Sequence, residues 1–260
     1  MRISESIKKK IFLFYFVPLI TMATPNVVAI IVAAGASRRM GFDKLSAPLA
    51  GRPLLAHTLL AFEQCIHISR IVLVCTPSRE DEFRHIARRY GVSKLVTFVS
   101  GGKERQDSVW NGLLAAEKSA KYLAVHDGAR PLVTPLLIAN CVRTAQRCGG
   151  ACAAEPLTDT VHWADREKLL VKSIERKGAW RVQTPQVVLR NSLLDAYFQL
   201  MREGWSTTDE ASILVRLGKR VVIEESMEWN FKVTVPQDLV LAEAVLAYRQ
   251  GRSLEWKRRL

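Results

Sequence analysis

The sequence predicts an α/β fold built on a doubly wound, mostly parallel sheet. Short apolar runs alternate along the chain with longer segments whose apolar residues recur at helical spacing. The short runs are apolar almost throughout, as expected for strands that helices cover on both faces. A length of 260 residues, of which 48% are hydrophobic, provides for one large domain with a full core.

Five of the short runs are predicted to be strands, and five of the longer segments to be helices. The strands VVAIIVAA, RIVLVC, KLVTFV, KYLAVHD and GACAAE begin at Val27, Arg70, Lys94, Lys121 and Gly150. The helices begin at Pro53, Arg79, Glu104, Pro135 and Pro236. Such an alternation is typical of a parallel sheet with crossover helices.

One interval, from Asp159 to Trp180, departs from this alternation. Two β-prone runs there flank the polar turn ADREK, a pattern that predicts a β-hairpin arm at about 157–182, inserted into the α/β domain. An inserted arm of this kind usually packs against another surface, and a second subunit is one candidate.

The two ends of the chain differ from the domain, which we place at residues 25–248. Residues 1–24 hold three consecutive lysines and the apolar run IFLFYFVPLITM, which is shorter than the roughly 20 residues that span a bilayer. This extension is either the hydrophobic region of a secretory signal or the product of a start site upstream of Met22. Residues 249–260 form a basic tail, which we expect to be a solvated helix end.

Net charge and cysteine usage limit the classes of function. A net charge of +13 suits anionic ligands, including small phosphorylated ones. Aromatic residues do not alternate with basic ones as they do in single-strand binders, so no nucleic acid is expected as a partner. Five cysteines without CxxC pairs indicate a reducing compartment and plain core thiols.

A loop of small residues follows the first predicted strand. Residues 32–44 read VAAGASRRMGFDK and lie at the carboxyl end of that strand, where doubly wound folds bind ligands. The small side chains let backbone N–H groups approach phosphate oxygens, while Arg38, Arg39 and Lys44 add positive charge. The loop matches neither a Walker phosphate loop nor a GxGxxG fingerprint, and a glycine turn with solvated arginines is the alternative interpretation.

Two further motifs lie at the ends of later strands. GGKERQDSVWNGL begins at Gly101, where glycines would let a flat base lie against the backbone and Ser108 would read its edge. VHDGARP places Asp127 at the carboxyl edge of the sheet, where a carboxylate facing a triphosphate predicts a Mg²⁺ site. The alternatives are an ordinary helix N-terminus for the first motif and, for the second, Asp127 pairing with Arg130 or capping the next turn.

Together and in this order, the motifs resemble those of the 2-C-methyl-D-erythritol 4-phosphate cytidylyltransferases of the non-mevalonate isoprenoid pathway. The resemblance runs from Val27 to about Leu246. The family's AAGxGxRM, GGxxRxxSVxxGL and VHDAARP correspond to AAGASRRM, GGKERQDSVWNGL and VHDGARP. Its DT, TPQ, TDEAS and NIKVTxPxDLxxAE elements correspond to DT at Asp159, TPQ at Thr184, TDEAS at Thr208 and NFKVTVPQDLVLAE at Asn230.

The resemblance implies an enzyme that uses CTP to convert the acceptor, methylerythritol phosphate, into 4-diphosphocytidyl-2-C-methyl-D-erythritol and pyrophosphate. It implies Arg39 and Lys44 as catalytic residues, Mg²⁺ on Asp127, and a cytoplasmic homodimer joined through the arm, without stable membrane association. The implied nucleotide-binding residues are Ala33, Ala34, Gly35, Ala36, Ser37, Gly102, Arg105 and Ser108. The implied acceptor-binding residues are Thr160, Arg176, Thr184, Thr208, Asp209 and Lys232, with Arg176 serving the neighbouring subunit's site.

The chain departs from the family pattern in several places. Ser37 replaces the second loop glycine, and DKL replaces the usual PKQ after a shorter loop. Lys103 stands where many members carry an acid that helps to recognise the base, and Gly128 replaces an alanine. The alternative functions are a ribitol 5-phosphate cytidylyltransferase, a molybdopterin guanylyl- or cytidylyltransferase, and a non-catalytic nucleotide-binding protein.

Overall fold

A computed structural model describes residues 26–35, 37, 39–226 and 229–251, and it confirms the predicted fold class. The strands in chain order are β1 (Val27–Val32), β2 (Pro48–Leu49), β3 (Arg52–Pro53), β4 (Arg70–Cys75), β5 (Leu95–Ser100), β6 (Tyr122–Asp127), β7 (Gly150–Pro156), β8 (Val161–Ala164), β9 (Leu170–Ile174), β10 (Trp180–Leu189) and β11 (Val222–Glu225). The helices are α1 (Leu54–Gln64), α2 (Glu80–Arg89), α3 (Arg105–Ala115), α4 (Pro135–Cys148), α5 (Arg190–Glu203), α6 (Glu210–Arg216) and α7 (Pro236–Arg249). The predicted extension 1–24 and residues 252–260 of the basic tail lie outside the described residues.

A seven-stranded sheet in the order β11-β7-β10-β6-β1-β4-β5 forms the middle layer. Its paired strands are parallel except β10, which is antiparallel to β6 and β7. Val32 at the end of β1 lies opposite Asp127 at the end of β6 and Val74 in β4. The loop after β1 and the Asp127 carboxylate therefore meet at the same edge of the sheet.

The side chains of β1 alternate between two hydrophobic cores. Val27, Ala29 and Ile31 face the core that contains α1, α2, α4 and α7. Val28 and Ile30 face the core that contains α3, α5 and α6. All five are at most 2% exposed, and each fully buried valine or isoleucine contributes about 1.5–3 kcal/mol. The strand that carries the first loop is thus fixed from both sides.

All five predicted strands and all five predicted helices are present, but the sequence reading missed others. The missed elements are β2, β3, β10, β11, α5 and α6. The predicted arm is a β8–β9 hairpin. The Asp165 carboxylate closes its turn, because Oδ1 accepts hydrogen bonds from the N–H groups of Glu167 and Leu169, both at 2.9 Å.

The cysteines are free, and four of the five, Cys65, Cys75, Cys141 and Cys152, are buried. Burial raises the pKa of Cys75 and Cys152 to about 11, so these thiols stay protonated at neutral pH. Within the described residues, no helix has both the length and the apolar character needed to cross a bilayer.

Candidate active site

The loop after β1 is tied to β4 where it begins and contains a hydrogen-bonded turn near its end. Ala33 N–H donates to the Val74 carbonyl at 2.7 Å, and Met40 N–H donates to the Ser37 carbonyl at 2.8 Å. Ser37 has φ 51°, in the left-handed region that favours glycine, and it occupies the position of a family glycine. The serine thus adopts a backbone conformation that a glycine reaches more easily. Ala36 and Arg38 lie outside the described residues.

Lys44 points from this segment towards the strand-to-helix connection before α7. Its Nζ donates to the Val233 carbonyl at 2.9 Å. Burial lowers the pKa of Lys44, and the positive charges of Lys232 and Arg39 lower it further. Three cations, two from the loop after β1 and one from the segment before α7, therefore lie close together.

Asp127 receives three of the cations around this edge of the sheet. Its Oδ1 accepts a hydrogen bond from Arg105 Nε at 3.1 Å, while Oδ2 accepts one from Arg130 Nε at 3.3 Å and lies 3.2 Å from Lys232 Nζ. Burial alone would raise the pKa of Asp127, but the charges of Lys232, Arg105 and Arg130 outweigh it and hold that pKa well below its usual range. The carboxylate is therefore ionised at neutral pH. The pairing with Arg130 was the alternative interpretation of this aspartate, and the structure contains it.

Arg105 connects Asp127 with Glu210, which the sequence reading did not single out. Its Nη1 and Nη2 donate to the two Glu210 carboxylate oxygens at 2.9 and 3.1 Å, and Nη1 also lies 3.2 Å from the Thr208 carbonyl. Glu210 is fully buried. Burial alone would lower the pKa of Arg105, but the charges of Glu210 and Asp127 outweigh it and raise that pKa. Arg105 thus supports the Asp127 carboxylate and the TDEAS segment as well as its own loop.

Thr184 and His126 support the backbone of Asp127 through buried hydrogen bonds. Asp127 N–H donates to Thr184 Oγ1 at 3.1 Å, and the same oxygen lies 3.0 Å from His126 Nδ1. Thr184 is 3% exposed, and its hydroxyl supports the end of β6; its predicted contact with the acceptor stays a prediction. Burial lowers the pKa of His126 to about 3, so this imidazole is neutral.

The glycine motif that precedes α3 packs directly on the β1 loop. A Cβ added to Gly101 would lie 2.2 Å from Ala34 Cβ, so a larger residue at this position would push the two loops apart. Gly102 N–H donates to Ser108 Oγ at 3.0 Å, and that hydroxyl donates to the Glu104 carbonyl at 3.2 Å. Ser108 therefore shapes the loop, and its hydroxyl is already engaged.

These segments enclose one pocket of about 500 Å³. Five cationic and two acidic side chains line it: Arg39, Lys44, Lys103, Arg105 and Lys232, with Glu104 and Asp127. The predicted residues that it brings together are Ala33, Ala34, Gly35, Ser37, Arg39, Lys44, Gly102, Arg105, Ser108, Asp127 and Lys232. An excess of positive charge beside small-residue loops suits a polyphosphate.

Besides the buried Thr184, four predicted acceptor residues do not line this pocket within a single chain. Thr160 and Arg176 are exposed on the arm, where Arg176 Nη1 donates to the Thr158 carbonyl at 2.8 Å. Thr208 lines a second pocket, of about 570 Å³, on the other side of Arg105. The Asp209 carboxylate caps α6 by accepting a hydrogen bond from Ser212 N–H at 2.8 Å.

Two side chains of the site were missed as functional residues, although the motifs contained both. Arg130 belongs to VHDGARP and Glu210 to TDEAS. A buried carboxylate needs a cationic partner, but the sequence does not reveal that Glu210 is buried or that its partner lies 105 residues away.

The fold and the pocket define an α/β protein that binds a phosphorylated ligand at the carboxyl edge of its sheet. Residues 27–248 match the 2-C-methyl-D-erythritol 4-phosphate cytidylyltransferase family. A relative of that name from Pelotomaculum thermopropionicum is 40% identical over 233 residues, which cover 88% of this chain and 98% of the relative. Another, from Dehalococcoides mccartyi, is 41% identical over 228 residues, which cover 87% and 98%.

A solved structure with the same name as these relatives also matches the chain. The crystal structure of 2-C-methyl-D-erythritol 4-phosphate cytidylyltransferase from Thermus thermophilus is 32% identical, with a TM-score of 0.69, and the match covers 84% of this chain and 97% of that one. The chain belongs to the 2-C-methyl-D-erythritol 4-phosphate cytidylyltransferase family.

Proposed function

We propose that the protein transfers the cytidylyl group of CTP to 2-C-methyl-D-erythritol 4-phosphate. The products are 4-diphosphocytidyl-2-C-methyl-D-erythritol and pyrophosphate. The observation that carries this proposal is the single pocket that joins the Ala34 loop, Lys44, Asp127 and Lys232 in a chain of this family. Such a pocket can hold two anions against their mutual repulsion.

The reaction needs positioning and charge more than it needs a protein nucleophile. An oxygen of the acceptor phosphate attacks the α-phosphorus of CTP in line, forming a new P–O bond while the bond to pyrophosphate breaks. Arg39 and Lys44 stabilise the negative charge that develops on the α-phosphate. Lys232, which lies beside Asp127, holds the acceptor phosphate, and the backbone around Gly102 faces the cytosine.

We also propose a divalent cation, Mg²⁺, as cofactor, with Asp127 as its protein ligand. Among the described residues, no group of three His, Cys, Asp or Glu side chains could hold a metal ion alone. Magnesium is usually bound by one or two carboxylates together with substrate phosphates, so one ionised carboxylate suits it. A carboxylate offers about four lone-pair positions, and the three cations around Asp127 leave room. When bound, the ion would neutralise the triphosphate and stabilise the pyrophosphate as it leaves.

The arm supports a homodimer as the working form. Four of its large apolar side chains are 62–71% exposed: Trp163, Leu169, Leu170 and Val171. Exposed apolar groups in one short hairpin are typical of an interaction surface. Because Thr160 and Arg176 lie on the same arm, a second subunit would bring them to a pocket that lacks them within one chain. Sedimentation should give a dimer for the native protein and a monomer for the W163D/L170D variant.

We place the enzyme in the cytoplasm, where it would meet CTP, and we expect no nucleic-acid partner and no stable membrane association. The sequence feature that bears on this placement is the apolar run before Met22. Amino-terminal sequencing of the native protein tests it, since cleavage at a small-residue site near Ala23 would contradict a cytoplasmic enzyme.

The decisive experiment measures pyrophosphate release from CTP and Mg²⁺ with methylerythritol phosphate, with ribitol 5-phosphate, and with neither. We expect release only with the first acceptor. Equal rates with ribitol 5-phosphate would identify the alternative enzyme, and no release with any acceptor would identify a non-catalytic protein. Lys44→Met serves as the catalytic control, and we expect it to lower kcat by more than about a hundredfold.

A further inference from the structure

The turn that carries Lys44 is anchored directly on its C-terminal side and less directly on its N-terminal side. After Lys44, Leu45 is 3% exposed in the core, and its carbonyl accepts a hydrogen bond from Leu55 N–H at 2.9 Å. Before it, Phe42 is 47% exposed and Gly41 has φ 73°. The position of the Lys44 backbone therefore depends on what holds the residue between Phe42 and Lys44.

Asp43 is that residue, and its carboxylate closes the turn. The carboxylate oxygens accept hydrogen bonds from Ser46 N–H at 3.0 Å and Leu45 N–H at 3.4 Å. Asp43 also forms an ion pair with Arg79. Burial alone would raise the pKa of Asp43, but the hydrogen bonds from Arg79 and Ser46 outweigh it and lower that pKa. The carboxylate is therefore charged at neutral pH.

Arg79 is itself held in place from several directions. It lies in the short turn that follows β4, the sheet neighbour of β1. Its guanidinium lies over the buried Phe83 ring, 4.6 Å from the centroid. Its Nε donates to Glu82 at 2.8 Å, and Nη2 donates to Ser46 Oγ at 2.7 Å. A side chain fixed in this way offers Asp43 a fixed partner.

We propose that Asp43 and Arg79 are positioning residues for Lys44, and that their ion pair does here what a proline does in the PKQ motif of the family. Proline restricts the chain by fixing φ, whereas Asp43 restricts it by tying the turn to the end of β4. Neither residue lines the pocket, so both act through Lys44. The proposal rests on the proposed function of Lys44 in cytidylyl transfer.

Two features of the backbone at Asp43 favour a proline there. Its φ lies outside the left-handed region, and within the described part of the chain its N–H donates no hydrogen bond. Proline would therefore remove no backbone hydrogen bond at this position. This makes Asp43→Pro a rescue variant: it removes the carboxylate but restores the restriction.

The test compares kcat and KM of D43A, R79A, D43P and D43P/R79A in the full chain. We expect D43A and R79A each to lower kcat about tenfold, since a small displacement of a catalytic group costs rate, while KM for CTP changes less than about twofold. We expect D43P to recover kcat to within about threefold of the native protein. In the D43P background, R79A should then change kcat by less than about twofold, because Arg79 has lost the partner through which it acts.

Arg84→Ala is the matched control, because Arg84 forms a similar ion pair with Glu80 on α2 without contacting the Lys44 turn. It should keep the native kcat. An R79A loss of equal size in both backgrounds, or a D43A variant with native kcat, would overturn the proposal. The D43A/R79A double variant provides the test if D43P does not fold. A loss of kcat no greater than that of either single variant supports the proposal. A loss of kcat equal to the product of the two single losses refutes it. If the native protein itself is inactive, the proposed function has failed instead.

Discussion

Glu210→Gln tests how much the buried Arg105–Glu210 ion pair contributes to the stability of the protein. Glu210 is fully buried, and its two oxygens accept hydrogen bonds from Arg105 at 2.9 and 3.1 Å. Burial raises the pKa of Glu210, whereas the charge and hydrogen bonds of Arg105 lower it, so the ion pair is what keeps the carboxylate charged. The substitution keeps the size of the side chain and removes that carboxylate. Arg105 keeps Asp127 and the Thr208 carbonyl as partners.

The expected loss follows from these contacts. A hydrogen bond between charged groups contributes about 1.5–3 kcal/mol, and breaking a buried ion pair costs about 3–5 kcal/mol. Glutamine can keep one weaker hydrogen bond to the guanidinium, so we expect the free energy of unfolding to fall by about 3 kcal/mol. In a domain of this size each kcal/mol lowers Tm by about 2–4 °C, which gives a decrease of about 6–12 °C.

The assay is equilibrium urea unfolding at pH 7, supported by thermal melts. Glu203→Gln is the matched control, because Glu203 pairs with the exposed Arg202, and exposed pairs contribute little. The double variant R105Q/E210Q should be more stable than the sum of the single losses implies, because neither buried charge is left without its partner. Equal unfolding midpoints for E210Q and E203Q would refute the reasoning.

Four further predictions address the site. Arg39→Ala should lower kcat about a hundredfold and raise the CTP Kd less than about threefold, because the arginine acts mainly on the transition state; equal losses in kinetics and calorimetry would remove that role. Arg176→Ala should raise KM for methylerythritol phosphate about tenfold and leave KM for CTP unchanged. A parallel change in both KM values would contradict separate binding residues for the acceptor and for CTP. Gly101→Ala should raise the CTP Kd at least about tenfold in calorimetry, since the new Cβ would meet Ala34 Cβ at 2.2 Å; native affinity would show that the loops can separate freely. Folding lowers the pKa of His126 from 6.5 to about 3, so below pH 6.5 the unfolded chain binds a proton that the folded chain does not. The free energy of unfolding should therefore fall by about 2 kcal/mol between pH 6.5 and 5, measured by urea unfolding. A His126→Asn variant should lack this pH-dependent loss.

The parts of the fold that the sequence predicts are those where one local property decides the structure. β1 is apolar throughout because both faces are buried, and its pattern identifies it without further information. β10 was missed because Pro185 and polar residues lie in its middle, and proline argues against an internal strand. The sheet accommodates it through a register shift between Val182 and Gln186, which is a tertiary adjustment.

The same distinction applies to the site. Loop residues such as Ala34 and Lys44 belong to contiguous motifs and were placed in one pocket by the topology of a parallel sheet. Thr184 belongs to a motif as well, but the sequence does not reveal its burial, which depends on how β10 packs beside β6. The acceptor roles of Thr160, Thr184, Thr208 and Asp209 stay predictions.

The reversed direction of β10 decides where the arm leaves the sheet. β7 ends at Pro156, directly opposite Trp180, where β10 begins, so the hairpin emerges at the edge that holds Asp127. Had β10 run with its neighbours, its first residue would lie at the far edge, ten residues or about 33 Å away. The insertion would then have to cross the whole molecule to reach any catalytic pocket. One strand of opposite polarity therefore keeps both ends of the hairpin at the pocket edge of the sheet, so the hairpin can change in length without rerouting the chain.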